Sequence, residues 1–456
     1  MSDVRLYYEE VFETMKQEQE TISDMIKRLI AEHQPVVTAQ TIGEKYYDDQ
    51  PDILLRKPPE DAQGKTDDKK PHNLLVANFH PNQVDQKVGY LLAEPINFKA
   101  EDAILDKIGE RFDDSFDDLI IDVLTAASNK GIEWMHVYYD TDGNLKFKQI
   151  PAEQVVPVYD EYGQLTMLIR HYVLNQVSRA EIWTAEHVYY YMLSDGEYVA
   201  DFHWGEAVKT HYNGDSWGRI PFVPFRNNSK EKGDLWKYKS LIDAFNNRLS
   251  DIQNTFDEST DLIFALKGYN GQDLGEFVRN LRHYKAINLF KDGEIDTITV
   301  KIPIEETERY LKMLREMIID FGRGVDFQSD KFGNSPSGVA LKILYSGLDI
   351  KAKQLERKTR VAIKELLWFV FDDAGIQADP KDVEMTFKYN RLKNDMEDAQ
   401  IVVMSKGIIS DDTLIGNHPF VDDPQGERER LNEQEIAFNN SLPAIEVGAS
   451  DESRTD

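Results

Sequence analysis

The sequence predicts a mixed α+β fold that is mainly helical, and two periodicities and one composition support it. Apolar residues recur at steps of three and four through residues 3–33, 235–261, 304–321 and 338–372, the spacing of one helix face. Between 131 and 226 the period falls to two, with glycine-bearing turns between alternating runs. The 456 residues are 41% hydrophobic and 11% aromatic, as in a folded chain long enough for several domains.

In chain order, Leu6, Tyr7, Val11, Met15, Ile22 and Ile26 predict a helix over 3–33. After a broken polar stretch, a helix is expected from His72 to Leu92, interrupted near Pro81, and another from Ala103 to Lys130. "IEWMHVYYDTDGNLKFKQI", "VVPVYDEYGQLTMLIRHYVL" and "VYYYMLSDGEYVADFHW" predict successive hairpins in an antiparallel sheet. Asp140, Asp142 and Gly143 resemble part of a calcium loop, but the other ligand positions and the closing Glu are missing, so they read as a turn.

The helical period then returns. Leu241, Ile242, Phe245, Leu249, Ile252 and Phe256 form one stripe, with Asp243, Asn246, Asn247, Arg248, Asp251 and Asp257 on the other faces. Within a compact segment, 262–303, "AINLFKDGEIDTITVKI" reads as a hairpin turning at Asp292-Gly293. Pro303 opens a second helix whose stripe is Ile304, Tyr310, Leu311, Leu314, Ile318 and Phe321, so two helices bracket the insertion and can run antiparallel.

The stretch "DFQSDKFGNSPSGVALK", Asp326 to Lys342, is longer and more polar than an ordinary helix connection. Phe327 and Phe332 are its main apolar anchors, and Gly333 and Gly338 give it conformational freedom. Ser335 and Pro336 then start a helix that Gly375 stops, about 50 Å long at 1.5 Å per residue. From 339 to 371 this helix has seven bases (Lys342, Lys351, Lys353, Arg357, Lys358, Arg360, Lys364) and three acids. Pairing with acidic neighbours, contact with DNA and contact with another subunit all remain open for it. "DVEMTFKYN" reads as a strand, Ser410 as a helix cap, and the acidic end after about 440 as a disordered tail.

Several function classes are excluded or weakened. The chain has no cysteine, so disulfides, thiolate metal sites and a cysteine nucleophile are ruled out. Its start is acidic and amphipathic, unlike a signal peptide, and no run of about 18 apolar residues predicts a membrane span. The net charge of −29 would repel DNA over most of the surface. Solubility alone explains that charge; so does a surface that works beside nucleic acid without adhering to it.

No phosphate-binding G-x-x-x-x-G-K-[ST] loop, H-E-x-x-H or G-x-S-x-G motif occurs, and the ten histidines never fall at metal-ligand spacing. Paired carboxylates such as "DDSFDD" at 113–118 are expected by chance among 82 acids. No catalytic residue, metal site or cofactor is therefore predicted.

The order helical opening, sheet, helix, small insertion, helix, polar loop, long helix and acidic end resembles one known family. So do "KKPHNLLVANFHPNQVDQKVGYLLAEPINF", "IPFVPFRNNSKEKGDLWKYKSLIDAFNNRLSDIQNTFDESTD" and "GIISDDTLIGNHPFVDDP". The family is the portal proteins of tailed bacteriophages, of the Bacillus siphophage type, and the likeness covers about 40 to 435. "YLLAEP" departs from it, since the family tends to have Gly before this Pro.

The resemblance implies a portal-type fold with wing, stem, clip and crown, assembled into a cyclic ring, usually of twelve subunits, at one capsid vertex. Double-stranded DNA is packaged and ejected through the channel, held weakly and without regard to sequence. On that pattern 1–233 form the wing, with its β part at about 131–226. Residues 234–261 and 304–326 form the stem helices, 262–303 the clip, and 327–337 the tunnel loop. The long wing helix is 338–375, the crown 376–440 and the tail 441–456.

The DNA-facing loop residues would be Gln328, Ser329, Lys331, Asn334 and Ser335, and the stem wall Asp243, Asn247 and Asp251. Lys267, Tyr269, Asp292 and Glu294 of the clip would meet a partner. The implied partners are the large terminase subunit, a head-tail adaptor, the scaffold and the major capsid protein, with no membrane. The implied location is the virion, after assembly in the host cytoplasm. An adaptor or scaffold-like vertex protein would share the acidity without a channel.

Overall fold

A computed structural model describes residues 6–7, 13–17, 19–68, 70–212, 214–259, 263–267, 294–298, 304–326, 338–390, 395–421 and 423–441. The expected tunnel loop, most of the expected clip and nearly all of the acidic tail lie outside these residues. Two compact units divide the chain: 1–325 with 347–390, and 326–346 with 391–456.

In the first unit, strand β1 (Leu6–Tyr7) runs parallel to a strand of the sheet domain, where a helix was expected. The first long helix, α1 (Ile22–Tyr47), begins later than the apolar spacing predicts because Thr21 caps it. Thr21 Oγ1 accepts from the Asp24 N–H, and the Asp24 carboxylate accepts from the Thr21 N–H. The helix continues through Pro35 to Tyr47, since its buried positions Met25, Ile26, Leu29, His33, Gln40, Gly43 and Tyr46 keep the helical step.

The expected helix at 72–92 is only α2 (Phe79–Leu91); the residues before it are extended. Strand β2 (Asn97–Lys99) follows. The expected helix at 103–130 is two helices, α3 (Asp102–Arg111) and α4 (Asp114–Lys130). Asp113 breaks the run by capping α4, accepting from the Ser115 and Phe116 N–H groups, and Gly131 ends α4 at φ 101°.

The three hairpins form as expected: β3–β4 (Ile132–Tyr139, Leu145–Ile150), β5–β6 (Val155–Tyr159, Leu165–Leu174) and β8–β9 (His187–Ser194, Glu197–Ala200). β7 (Val177–Trp183) lies between the second and third, β10 is Val208–Thr210 and β11 is Phe222–Arg226. They make two sheets, not one. β3 pairs with the distant β11, giving β11-β3-β4, while β6, β7 and β8 join the others in a seven-stranded sheet. At the first hairpin, Asp140 accepts from the Asp142 and Asn144 N–H groups and Gly143 sits at φ 83°, which is turn chemistry.

Alternation along β5 and β6 builds two cores. One face, with Val156, Val158, Met167 and Ile169, packs against Met25, Ile26 and Leu29 of α1. The other, with Val155 and Leu168, packs between the sheets with Trp134, Ile150, Trp183 and Phe222.

Helix α5 (Lys239–Ser259), strands β12 (Ile263–Lys267) and β13 (Glu294–Ile298), and helix α6 (Ile304–Gly322) follow. β13 pairs antiparallel with β12, from Ile263 opposite Ile298 to Lys267 opposite Glu294. The arm proposed from sequence, 286–291, lies outside the described residues, as do Asp292 and Gly293.

The long helix α7 (Gly338–Ala374) matches its expected span, and its end is buried through Leu366, Leu367, Phe369, Val370 and Phe371. β14 (Glu384–Thr386), shorter than the strand expected there, pairs with β2. Among the described residues no helix is long and apolar enough to cross a membrane. The second unit contains α8 (Asp395–Met404), α9 (Asp411–Gly416, capped by Ser410 as expected) and α10 (Pro424–Ser441).

The first unit should lose stability in mild acid. Burial pushes His33 and His80 down to about 4 and His136 to about 3, and lowers His171 and His211. An unfolded histidine takes a proton near pH 6.5 and these folded ones do so later, so the unfolded state binds more protons as pH falls from 6.5 towards 4. Stability is therefore full above 6.5 and is lost through that window. Burial raises Glu133 to about 7 and also raises Glu44, Asp117 and Glu365, which opposes the trend, but five imidazoles outnumber four carboxyls. Thermal melts between pH 7 and 4.5 should show a falling midpoint; a flat or rising one would contradict this balance.

Candidate functional site

The predicted stem wall lies on α5, a helix with three different faces. Ile242 packs with Tyr46, Leu235, Tyr238 and Ile318. A second face carries Asn246, Ser250 and Asn254 at steps of four. Their side-chain oxygens accept from the backbone N–H groups of Ala77 (2.9 Å), Leu75 (2.9 Å) and Asn73 (2.7 Å). Four helical residues advance about 6.0 Å and two extended residues about 6.6 Å, so the two runs stay in step for three contacts. This ladder replaces the backbone bonds that a helix over 72–78 would have made. The four-residue polar spacing was visible in the sequence, but Asn246 was read as part of an outer face, whereas it and Ser250 are fully buried.

On the third face, both predicted wall carboxylates are ion-paired. Asp243 accepts from the Tyr46 hydroxyl and from Lys239 Nζ at 2.9 Å, and Asp251 pairs with Arg56 Nη1 at 2.7 Å. Asn247 is exposed, its Nδ2 donating to the Asp243 carbonyl at 2.8 Å. Of the residues expected in the clip, Lys267 and Glu294 stand directly opposite each other in the register of β12 and β13. Tyr269 and Asp292, and the loop residues Gln328, Ser329, Lys331, Asn334 and Ser335, lie outside the described residues.

Sequence reasoning missed the base of the helix pair, where α6 ends just before the polar segment. Arg323 takes a positive φ of 55° between Gly322 and Gly324. Both glycines lie close against the buried Gln83 of α2, whose amide would have to shift for a Cβ: one would lie 2.6 Å from its Oε1 at Gly322 and 2.4 Å from its Nε2 at Gly324. Gln86, one turn along α2, accepts from the Val325 N–H at 2.9 Å and donates to the Val325 carbonyl at 3.2 Å. Lys351, on the inner face of α7, donates to the Gly322 carbonyl at 3.0 Å and the Gln83 carbonyl at 3.3 Å. The last turn of α6 is thus tied to both α2 and α7.

A buried ion cluster lies directly behind this tie. Asp234 accepts from Lys87 Nζ at 2.7 Å, pairs with Lys351 Nζ at 3.4 Å and is reached from the rim by Lys237 at 3.1 Å. Lys87 also donates to Asn227 at 2.8 Å, and the Asn227 amide donates to Asp234 at 3.2 Å. Burial alone would raise the Asp234 carboxyl, but Lys351, Lys87 and Lys237 together hold it well below the usual carboxylate range. Burial lowers Lys87 to about 8 against the pull of Asp234, and lowers Lys351 as well. Gly233 fits Asp234 into place, since a Cβ there would lie 2.0 Å from the Asn129 carbonyl oxygen. Single polar letters scattered over 147 and 117 residues carry no local signal, so no periodicity could have found this cluster.

The helix pair is held at one end by buried ions and joined at the other by a two-stranded ribbon. Among the described residues no group of three or more His, Cys, Asp or Glu could hold a metal ion. The chain belongs to the phage portal protein family, SPP1 Gp6-like, whose sequence model matches residues 26–439.

It is similar to the portal protein of Bacillus phage SPP1, with 33% identity over 447 residues covering 93% of this chain and 88% of that one. It is also 28% identical to the portal protein of Clostridium phage phiCD119, covering 92% of this chain and 97% of that one. Among solved structures, a chain of the virion of a native gene transfer agent particle is similar at a TM-score of 0.47. Identity there is 11%, covering 74% of this chain and 88% of that one, a likeness too loose to carry an argument. The chain is therefore a portal protein and not an enzyme, a structural component of the phage virion that forms a homo-oligomeric ring in the head.

Proposed function

We propose that about twelve copies close head-to-tail into a ring whose stem passes double-stranded DNA during packaging and ejection. The observation that carries this reading is an uncovered apolar stripe on α6. Its Leu314 and Ile318 are buried, while Met313, at least 100° around the helix from both, and Phe321, at the edge of the buried face, are 47% and 53% exposed. One copy leaves that stripe in water, and a neighbour in a ring covers it.

On this reading α5 and α6 are the stem and the β12–β13 region is the clip. Residues 327–337 are the tunnel loop, 1–233 and α7 the wing, and 376–440 the crown. Asn247, beside the ion-paired Asp243 and Asp251, faces the channel with them. The loop residues Gln328, Ser329, Lys331, Asn334 and Ser335 touch phosphate and not base edges, because any sequence must pass. Lys267, Tyr269, Asp292 and Glu294 meet the large terminase subunit during packaging and a head-tail adaptor afterwards. Scaffold and major capsid protein surround the wing, and assembly takes place in the host cytoplasm.

Titration of the purified chain with duplex DNA tests this directly. Binding should be weak, indifferent to sequence and lost at a few hundred millimolar salt, and ATP should not be hydrolysed. A salt-resistant, sequence-specific complex would contradict a channel that must release its cargo.

A further inference from the structure

The outer face of α7 has the chemistry that the α6 stripe lacks. Ile350, Lys353, Arg357 and Val361 fall within one arc of the helix, opposite the buried Leu348, Lys351, Ala352, Leu355 and Thr359. Ile350 and Val361 are 58% and 54% exposed. Lys353 and Arg357 are exposed and have no acidic partner among the described residues. Three of the other five bases on α7 are engaged: Lys351 pairs with Asp234, Arg360 with Glu356, and Lys364 donates to the Lys381 carbonyl.

In its last two turns the exposed face of α6 has the opposite character. Met313 and Phe321 are separated by Glu316 and Asp320, which are exposed and likewise without a basic partner among the described residues. Met313 and Phe321 lie about 12 Å apart along α6, and Ile350 and Val361 about 16.5 Å apart along α7, at 1.5 Å per residue.

Within one copy these faces cannot meet. The inner sides of α6 and α7 are turned towards each other, tied by Lys351 to the Gly322 carbonyl, so the outer sides point apart. We infer that the outer face of α7 in one copy docks onto the outer face of α6 in the next, with Lys353 and Arg357 meeting Glu316 and Asp320. A surface of this chain offered to another copy at two different places is a heterologous contact, which is the kind that closes rings. Charge complementarity selects a second copy as the occupant. DNA would satisfy Lys353 and Arg357 but would leave Ile350 and Val361 without an apolar partner. The inference rests on the ring reading and adds which surfaces make the ring.

The test is a charge swap followed by native mass spectrometry and sedimentation, with circular dichroism to confirm folding. The Lys353→Glu, Arg357→Glu pair and the Glu316→Lys, Asp320→Lys pair should each raise the concentration needed for half-assembly at least tenfold. The four changes together should restore rings at near the wild-type concentration. Folded pairs that assemble normally would overturn the contact, as would a quadruple variant no better than either pair. Normal rings with reduced duplex affinity in the Lys353→Glu, Arg357→Glu pair would assign the α7 face to DNA instead. A wild-type chain that never forms rings would overturn the ring reading itself, a result distinct from intact rings indifferent to these charges.

Discussion

Replacing Asp234 with alanine should destabilise the chain by about 3–5 kcal/mol, the cost of leaving a buried charge without its partner. The side chains of Lys87 and Lys351 are 0% and 3% exposed, and Asp234 is the carboxylate that both reach. Without it, two ammonium groups face each other in a site sealed from water. The loss should ease as pH rises, because the folded lysines then shed protons that the unfolded ones keep, so the unfolded state binds more protons. Lys237→Ala is the control. Its side chain is 44% exposed, and pairs of that kind contribute about 1 kcal/mol or less. Urea unfolding of both variants checks the prediction. Equal, small losses would mean that packing and not charge holds the base.

Lys331→Asp should abolish packaging or retention of DNA while rings still form. This follows from the proposed tunnel loop, in which every copy projects one such residue towards the duplex. Unit charges 4 Å apart interact by about 4 kcal/mol at an effective dielectric of 20 and by about 1 kcal/mol in bulk water. Reversing the sign turns an attraction of that size into a repulsion at every subunit, reduced by salt at longer range. The wall control has to be Asn247→Lys. A change at Asp251 would also break its ion pair with Arg56 and confuse charge with folding. In vitro packaging at least tenfold below wild type, with rings intact by electron microscopy, is the expected result. Normal packaging by Lys331→Asp together with failure of Asn247→Lys would move the contact from the loop to the wall.

What could be read from the sequence was what repeats locally. The stripes of α5, α6 and α7, the three glycine-marked hairpins and the Ser410 cap all depend on residues within a few positions of each other. The break at Asp113 was missed because an Asp inside an apolar-periodic run looks like an ordinary outer-face residue until its carboxylate caps the next helix. The extended course of 73–77 was missed because its partners, Asn246, Ser250 and Asn254, lie about 170–180 residues away. Distance in the chain also hid β11 beside β3 and Ile263–Lys267 beside Glu294–Ile298. At the site, the wall positions on α5 could be named from periodicity. That Lys239 and Arg56 neutralise two of them, and that Asp234 lies at the base, required the fold.

Closure of a ring through surfaces that one copy leaves uncovered is the central claim. Cryo-electron microscopy of the purified chain at micromolar concentration tests it most directly. Particles of about twelve 52.7 kDa chains around an open central channel, with α6 of each copy covered by its neighbour, are the predicted result. Monomers or two-fold dimers persisting across protein and salt concentration, with Met313 and Phe321 still in water, would contradict it.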